Sequence, residues 1–129
     1  MKKLIVLYVV LSLVLTSCNS YNEVIKTTDY SYKYEAAKEY YAAGEYTKSY
    51  QLLEELVMVL KATEWAEESL YMLGMCYYNL GDYETSVLYL DRYYKRYPKG
   101  LYSEFARFHC GKAYFLQSPD PRLDQSPTY

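Results

Sequence analysis

The sequence predicts an all-α chain: αα-hairpins stacked into a solenoid of about two and a half units, behind a cleaved export signal. Three observations predict it. Small residues and tyrosines recur at a spacing of 37, as Ala37, Gly74 and Gly111 and as Tyr40, Tyr77 and Tyr114. The stretch YYAAGEY at 40–46 returns as YYNLGDY at 77–83. Between these marks the apolar residues keep a helical period, as Leu70, Leu73, Gly74, Tyr77 and Tyr78 do. A period of this length marks a supersecondary unit that cannot hide its apolar face alone, so that units stack.

The first element is not part of the solenoid. Lys2 and Lys3 make a positive start, Leu4 to Leu15 is an apolar run, and Leu15, Thr16, Ser17 and Cys18 follow. The run is shorter than the ~20 residues a membrane-spanning helix needs. It has the order of a secretory signal: positive region, apolar region, small residues at the cleavage point. LTSC at 15–18 resembles the bacterial lipobox, which implies cleavage before Cys18 and a diacylglycerol on its sulfur. Residues 1–17 are therefore expected as signal peptide and 18–28 as a lipidated tether carrying NSYNEVIKTT. Acyl chains contribute about 0.8 kcal/mol per buried CH₂, so more than one of them anchors a protein stably. In Gram-negative bacteria an aspartate after the lipidated cysteine favours the inner membrane. Asn19 stands there, which favours a lipid anchor in the outer membrane facing the periplasm.

The repeats follow over 29–129, in units at about 30–62, 64–99 and an incomplete 101–129. In unit two the first helix is expected from Glu64 to Asn79. Gly81 ends it, because glycine tolerates the left-handed backbone there. Asp82 caps the next helix, which runs to about Tyr97 before Pro98 stops it. The repeated heptad is thus the hinge of an αα-hairpin, with tyrosines before the glycine on one helix and the tyrosine after it on the other. Unit three offers a helix from Phe105 to Leu116, then QSPDPRLDQSPTY with no glycine hinge.

Composition narrows the function. With 14 basic and 16 acidic side chains there is no basic surplus to bind nucleic acid. Without Lys2 and Lys3 the balance becomes 12 to 16. The 20 tyrosines give wet-edged packing or an adhesive aromatic surface. No phosphate-binding glycine loop, H-E-x-x-H or C-x-x-C occurs, and the chain is read as a non-enzyme with no cofactor and no metal. His109, the only histidine, is read as packing within an aromatic helix. Cys76 and Cys110 could pair after export to an oxidising space, but two buried thiols are the favoured reading. Glu54, Glu55, Glu67 and Glu68 are expected on the solvated outer face. DRYYKRYPK at 91–99 places four cations at a helix C-terminus, where they complement the helix dipole or meet a partner.

The pattern resembles the tetratricopeptide repeat. Unit two matches at Leu73-Gly74, Tyr77, Gly81, Tyr83, Leu90 and Pro98, with Ser86 where that family has alanine. Unit one is looser, with Ala37 for the glycine and Lys61 for the closing proline. The order of lipobox, tether and repeats, with YPKGLYSEFARFHCGKAYF at 97–115, is similar to the BamD family of outer-membrane assembly lipoproteins over residues 15–129. Asp124, Gln125 and Thr128 lie where that family has an acid-Gln…Thr loop. Ser126 and Pro127 read as a helix start, so the sequence is expected to be the N-terminal part of a family with about five units.

The resemblance implies a scaffold that works through protein–protein contacts, helping insert outer-membrane proteins. The implied partners are members of the β-barrel assembly complex and unfolded outer-membrane proteins, with no nucleic acid and no small-molecule substrate. First helices of stacked hairpins line a concave groove. By repeat position its peptide-binding candidates are Tyr34, Lys38, Tyr41, Tyr71, Met75, Tyr78, Phe108, Lys112 and Phe115. The alternative is another periplasmic tetratricopeptide-repeat lipoprotein, for cell-envelope coordination or glycan binding.

Overall fold

The computed structural model describes residues 1–117, apart from the side chains of residues 14–19. Cys18 therefore lies outside the described side chains, and the stretch with Asp124, Gln125, Ser126, Pro127 and Thr128 lies outside the described residues. Six helices make up the described chain: α1 Lys2–Lys26, α2 Tyr30–Ala42, α3 Tyr46–Val59, α4 Ala66–Asn79, α5 Tyr83–Arg96 and α6 Ser103–Gln117. Each packs mainly on its sequence neighbour, so α2–α3 and α4–α5 are hairpins and α6 opens a third unit. The architecture is the all-α, tetratricopeptide-like hairpin solenoid that the 37-residue spacing predicts.

The two hinges are built alike. Gly44 and Gly81 take φ of 77° and 81°, a backbone that only glycine adopts at little cost. The Glu45 and Asp82 amides reach back to the carbonyls of Tyr40 and Tyr77 at 2.9 and 3.0 Å, closing each first helix with the six-to-one bond of a Schellman end. Across each hinge the tyrosines meet edge to face. Tyr41 and Tyr46 lie 5.6 Å apart at 75°, Tyr78 and Tyr83 5.5 Å apart at 70°. Deeper in, the Ser49 hydroxyl donates to the Ala37 carbonyl and the Ser86 hydroxyl to the Gly74 carbonyl, both at 2.8 Å. Serine at position 86 thus has a structural task that alanine could not perform.

Two core clusters show why the units stack. Leu52, Leu53, Leu56 and Ala37 of the first hairpin close on Met72, Leu73 and Cys76 of α4. Leu70 and Met75, on the other side of α4, join Val87, Leu90 and Tyr93 with Ala106, Cys110 and Ala113 of α6. Cys76 and Cys110 are free, buried thiols. One aromatic contact recurs between units. Trp65, just before α4, stacks on Tyr34 at 5.4 Å, and Tyr102, just before α6, stacks on Tyr71 at 4.4 Å. Both pairs are related by the 37-residue shift, and such pairs contribute about 0.5–1.5 kcal/mol beyond the area they bury.

α1 has two parts. From Leu4 to Leu13 its apolar side chains are exposed all round, a pattern that suits apolar surroundings rather than water. No described helix is long and apolar enough to cross a membrane. Residues 20–26, expected within a tether, stay helical, and Val24 is only 2 % exposed in the first core cluster. Tyr21 and Val24 stand one turn apart and so face α2 together. Tyr21 packs edge to face on Tyr40 and its hydroxyl meets Gln51. Lys33, 1 % exposed, reaches up from α2 to the Ile25 carbonyl at 3.0 Å and to Glu55 at 2.6 Å. The end of α1 is an N-terminal cap on the solenoid.

Of the four glutamates expected on the solvated face, Glu54 and Glu55 are exposed and Glu67 and Glu68 half-buried, and all four are also tied to neighbouring elements. Glu54 accepts from the Tyr77 hydroxyl and Glu55 pairs with Lys33. Glu67 accepts from the Tyr93 hydroxyl at 2.6 Å and from the Leu101 amide at 2.9 Å, and Glu68 accepts from the Tyr34 hydroxyl. The reason is the tyrosine count: a buried phenol needs an acceptor, and a carboxylate at the edge of the core supplies one.

Candidate functional site

The first helices α2, α4 and α6 lie side by side along the inner face, with direct contacts from α2 to α4 and from α4 to α6. Between α2 and α4 they leave a pocket of about 220 Å³. Its lining is Lys38, Tyr41 and Ala42 from α2, Glu68, Tyr71 and Met72 from α4, and Tyr102 from the connector before α6. The volume is below the roughly 300–1,000 Å³ of small-molecule sites and suits a single large side chain.

The tyrosine stack makes the wall. Tyr102 lies nearly parallel to Tyr71, at 4°, which fixes both rings without help from a ligand. Burial raises the pKa of Tyr41 and Tyr71, as it does that of Tyr102, so all three remain neutral phenols with a hydroxyl to donate. Lys38 stands at the rim, 3.7 Å from Glu68 and 5.2 Å from the centre of the Tyr34 ring. One cation against one carboxylate leaves the rim without a net charge. The pocket therefore selects for an apolar or aromatic shape, with polar groups at its edge to orient a peptide backbone.

Of the nine candidates, the structure brings Lys38, Tyr41 and Tyr71 together in this pocket. Tyr34 and Met75 are core residues, at 3 % and 7 % exposure. Tyr78 is half-buried between the rings of Tyr83 and His109. Phe108, Lys112 and Phe115 project from α6 as exposed side chains, away from the α2–α4 pocket. Ala42, Glu68, Met72 and Tyr102 complete the pocket and are absent from the sequence-based set. For Tyr102 the signal was present, since it stands 37 residues after Trp65.

The remaining reactive groups are structural. His109 lies edge-on to Tyr78 and Phe108 and its Nδ1–H donates to the Phe105 carbonyl at 2.8 Å. Burial pushes the Cys76 thiol up to about 11, so it is protonated at neutral pH. Among the described residues no group of His, Cys, Asp and Glu side chains could hold a metal ion.

Residues 68–100 match the tetratricopeptide repeat family. The matched stretch is the second hairpin, from the first turn of α4 through the hinge and α5 to Gly100. No curated protein matches the chain. The hinge bonds, ring pairs and serine contacts of the second hairpin recur in the first, so the geometry extends the repeat beyond the matched residues. This is a tetratricopeptide-repeat fold, and such repeats mediate protein–protein contacts.

Proposed function

We propose that the chain is a periplasm-facing scaffold of the outer-membrane β-barrel assembly machinery, anchored by lipid at Cys18. It holds extended client segments by an aromatic side chain in the inner-face pocket. The observation that carries the binding mode is the pocket of Tyr41, Tyr71, Tyr102 and Met72 under a neutral Lys38–Glu68 rim. Its chemistry suits the aromatic residues that end barrel strands.

Two further features support the setting. The exposed apolar stretch of α1 ends just before LTSC, the order expected of a signal that is removed when Cys18 is acylated. The assembly role rests on the resemblance of the lipobox, repeats and residues 97–115 to the BamD family.

The test is purification of the tagged lipoprotein from detergent-solubilised outer membranes. Co-purification of a large β-barrel protein with periplasmic repeat domains is the expected result. Recovery of peptidoglycan-linked or glycan-import proteins, with no such barrel, would replace this reading with that of a cell-envelope coordinator. Substitution of Tyr71 by alanine should then weaken client binding in the purified complex while leaving its membership intact.

A further inference from the structure

A second surface lies on the opposite side, between the C-terminal ends of the second helices α3 and α5. A cleft of about 80 Å³ opens there, floored by Val57, Ala66 and Leu70 and rimmed by Lys61, Arg92 and Arg96. Met58, also lining it, is 64 % exposed. The two guanidinium groups are already positioned. Arg96 donates to the Lys61 carbonyl at 3.1 Å and lies 5.6 Å from the Tyr97 ring, while Arg92 lies 5.3 Å from the Tyr89 ring.

These three cations are not used up within the fold. The ion pairs of the described residues are Lys33–Glu55, Lys38–Glu68, Lys48–Glu45 and Lys95–Asp91, and none includes Lys61, Arg92 or Arg96. Helix dipoles do not absorb them either. The ends of α3 and α5 offer about half a negative charge each, against three full positive charges. The dipoles thus leave about two of the three positive charges unbalanced, in a chain with more acidic than basic residues.

We propose that this cleft docks an acidic, amphipathic segment of a partner protein. An aliphatic side chain enters the floor beside Met58, and carboxylates on the same face of the segment pair with Arg92 and Arg96. Arginine suits the task because its planar fork binds a carboxylate through two parallel hydrogen bonds. The apolar floor favours a protein segment over a lipid headgroup, which would meet the cations and leave the floor empty. The cleft shares no lining residue with the inner-face pocket, and so stands or falls independently of that pocket and the assembly role.

The experiment measures fluorescence polarisation of two labelled peptides with the full chain in a non-ionic detergent. One probe is a short Leu/Glu amphipathic peptide, the other its Leu/Gln counterpart. The Leu/Glu probe should bind at least about tenfold more tightly, with affinity falling as salt rises. Arg92→Gln with Arg96→Gln should remove the difference. Met58→Glu should do the same by repulsion, and because that side chain is exposed its effect is not one of unfolding. Equal affinity for the two probes would overturn the proposal, as would full affinity of the Met58→Glu variant. So would co-sedimentation with phosphatidylglycerol vesicles in the absence of peptide binding.

Discussion

The two hairpins share a hinge and differ in how they are braced. Position for position, Lys33 and Leu56 of the first correspond to Leu70 and Tyr93 of the second. The buried polar group thus moves from the first helix to the second. In the first hairpin it is an ammonium that holds α3 through Glu55 and α1 through the Ile25 carbonyl. In the second it is a phenol that holds Glu67 and accepts from the Tyr102 amide at 3.0 Å. Each bracket ties its hairpin to the segment next to it, one backwards and one forwards. Repetition fixes the backbone path, and the polar exceptions decide which neighbours a unit holds.

The largest effect should come from removing the acceptors. Glu55→Ala leaves the Lys33 ammonium with one carbonyl and should cost about 2–3 kcal/mol, reduced from a fully buried case because Glu55 is half exposed. Glu67→Ala leaves the Tyr93 hydroxyl without its acceptor, though still bonded by the Tyr102 amide, and should cost about 1–2 kcal/mol. Equal losses in urea unfolding of the two variants would dissolve the distinction between the brackets. Lys33→Leu, which copies the second hairpin into the first, should cost less than Glu55→Ala yet speed amide exchange in residues 20–26.

The small residue of the first helix gives the next contrast. A Cβ on Gly74 would lie 2.6 Å from Leu90 Cδ2 and 2.9 Å from its Cγ, whereas the first hairpin already holds an alanine at 37. Gly74→Ala should therefore destabilise by about 1–2 kcal/mol despite the better helix propensity of alanine. Thermal unfolding checks the sign.

High pH should loosen the second hairpin and its seam with the first. Tyr77 and Tyr93 have pKa values raised by burial and then by their bonds to Glu54 and Glu67. The folded state keeps these phenols neutral while the unfolded chain ionises near pH 10. Their contribution is thus complete below pH 10 and falls as pH rises beyond it, towards the raised folded values. Circular dichroism from pH 8 upwards should show Tyr93→Phe with a shallower alkaline loss than the parent.

The smallest effect concerns the helix caps. Asp82 accepts from the Thr85 amide at 3.1 Å, while Glu45, its counterpart, makes no capping bond. Glu45→Asp should stabilise the first hairpin by about 0.5–1 kcal/mol, read from the urea midpoint.

The hinges were legible because their determinants are local: a glycine with positive φ, an acid after it and tyrosines on either side. The 37-residue spacing carried the stacking as well. The Trp65 and Tyr102 stacks obey the same spacing but lie in connectors, where different ring types hid the relation. The glutamate–tyrosine bonds depend on the rotation of each helix, and a turn of one residue would carry Glu54 or Glu67 away from its phenol. The same rotation separates Lys38, in the pocket, from Tyr34 in the core, although the two stand one turn apart. Residues 20–26 looked like linker because two apolar side chains, Tyr21 and Val24, carry all of their packing signal.

That cap has a mechanical consequence. α1 runs without interruption through position 18 to Lys26 and is clamped to the solenoid from Tyr21 onward. At 1.5 Å per residue, position 18 sits only about 5 Å along the axis from the first clamped side chain. A group attached there would turn with the repeats as a handle turns with its tool, and its orientation would be passed directly to the inner-face pocket and the outer cleft.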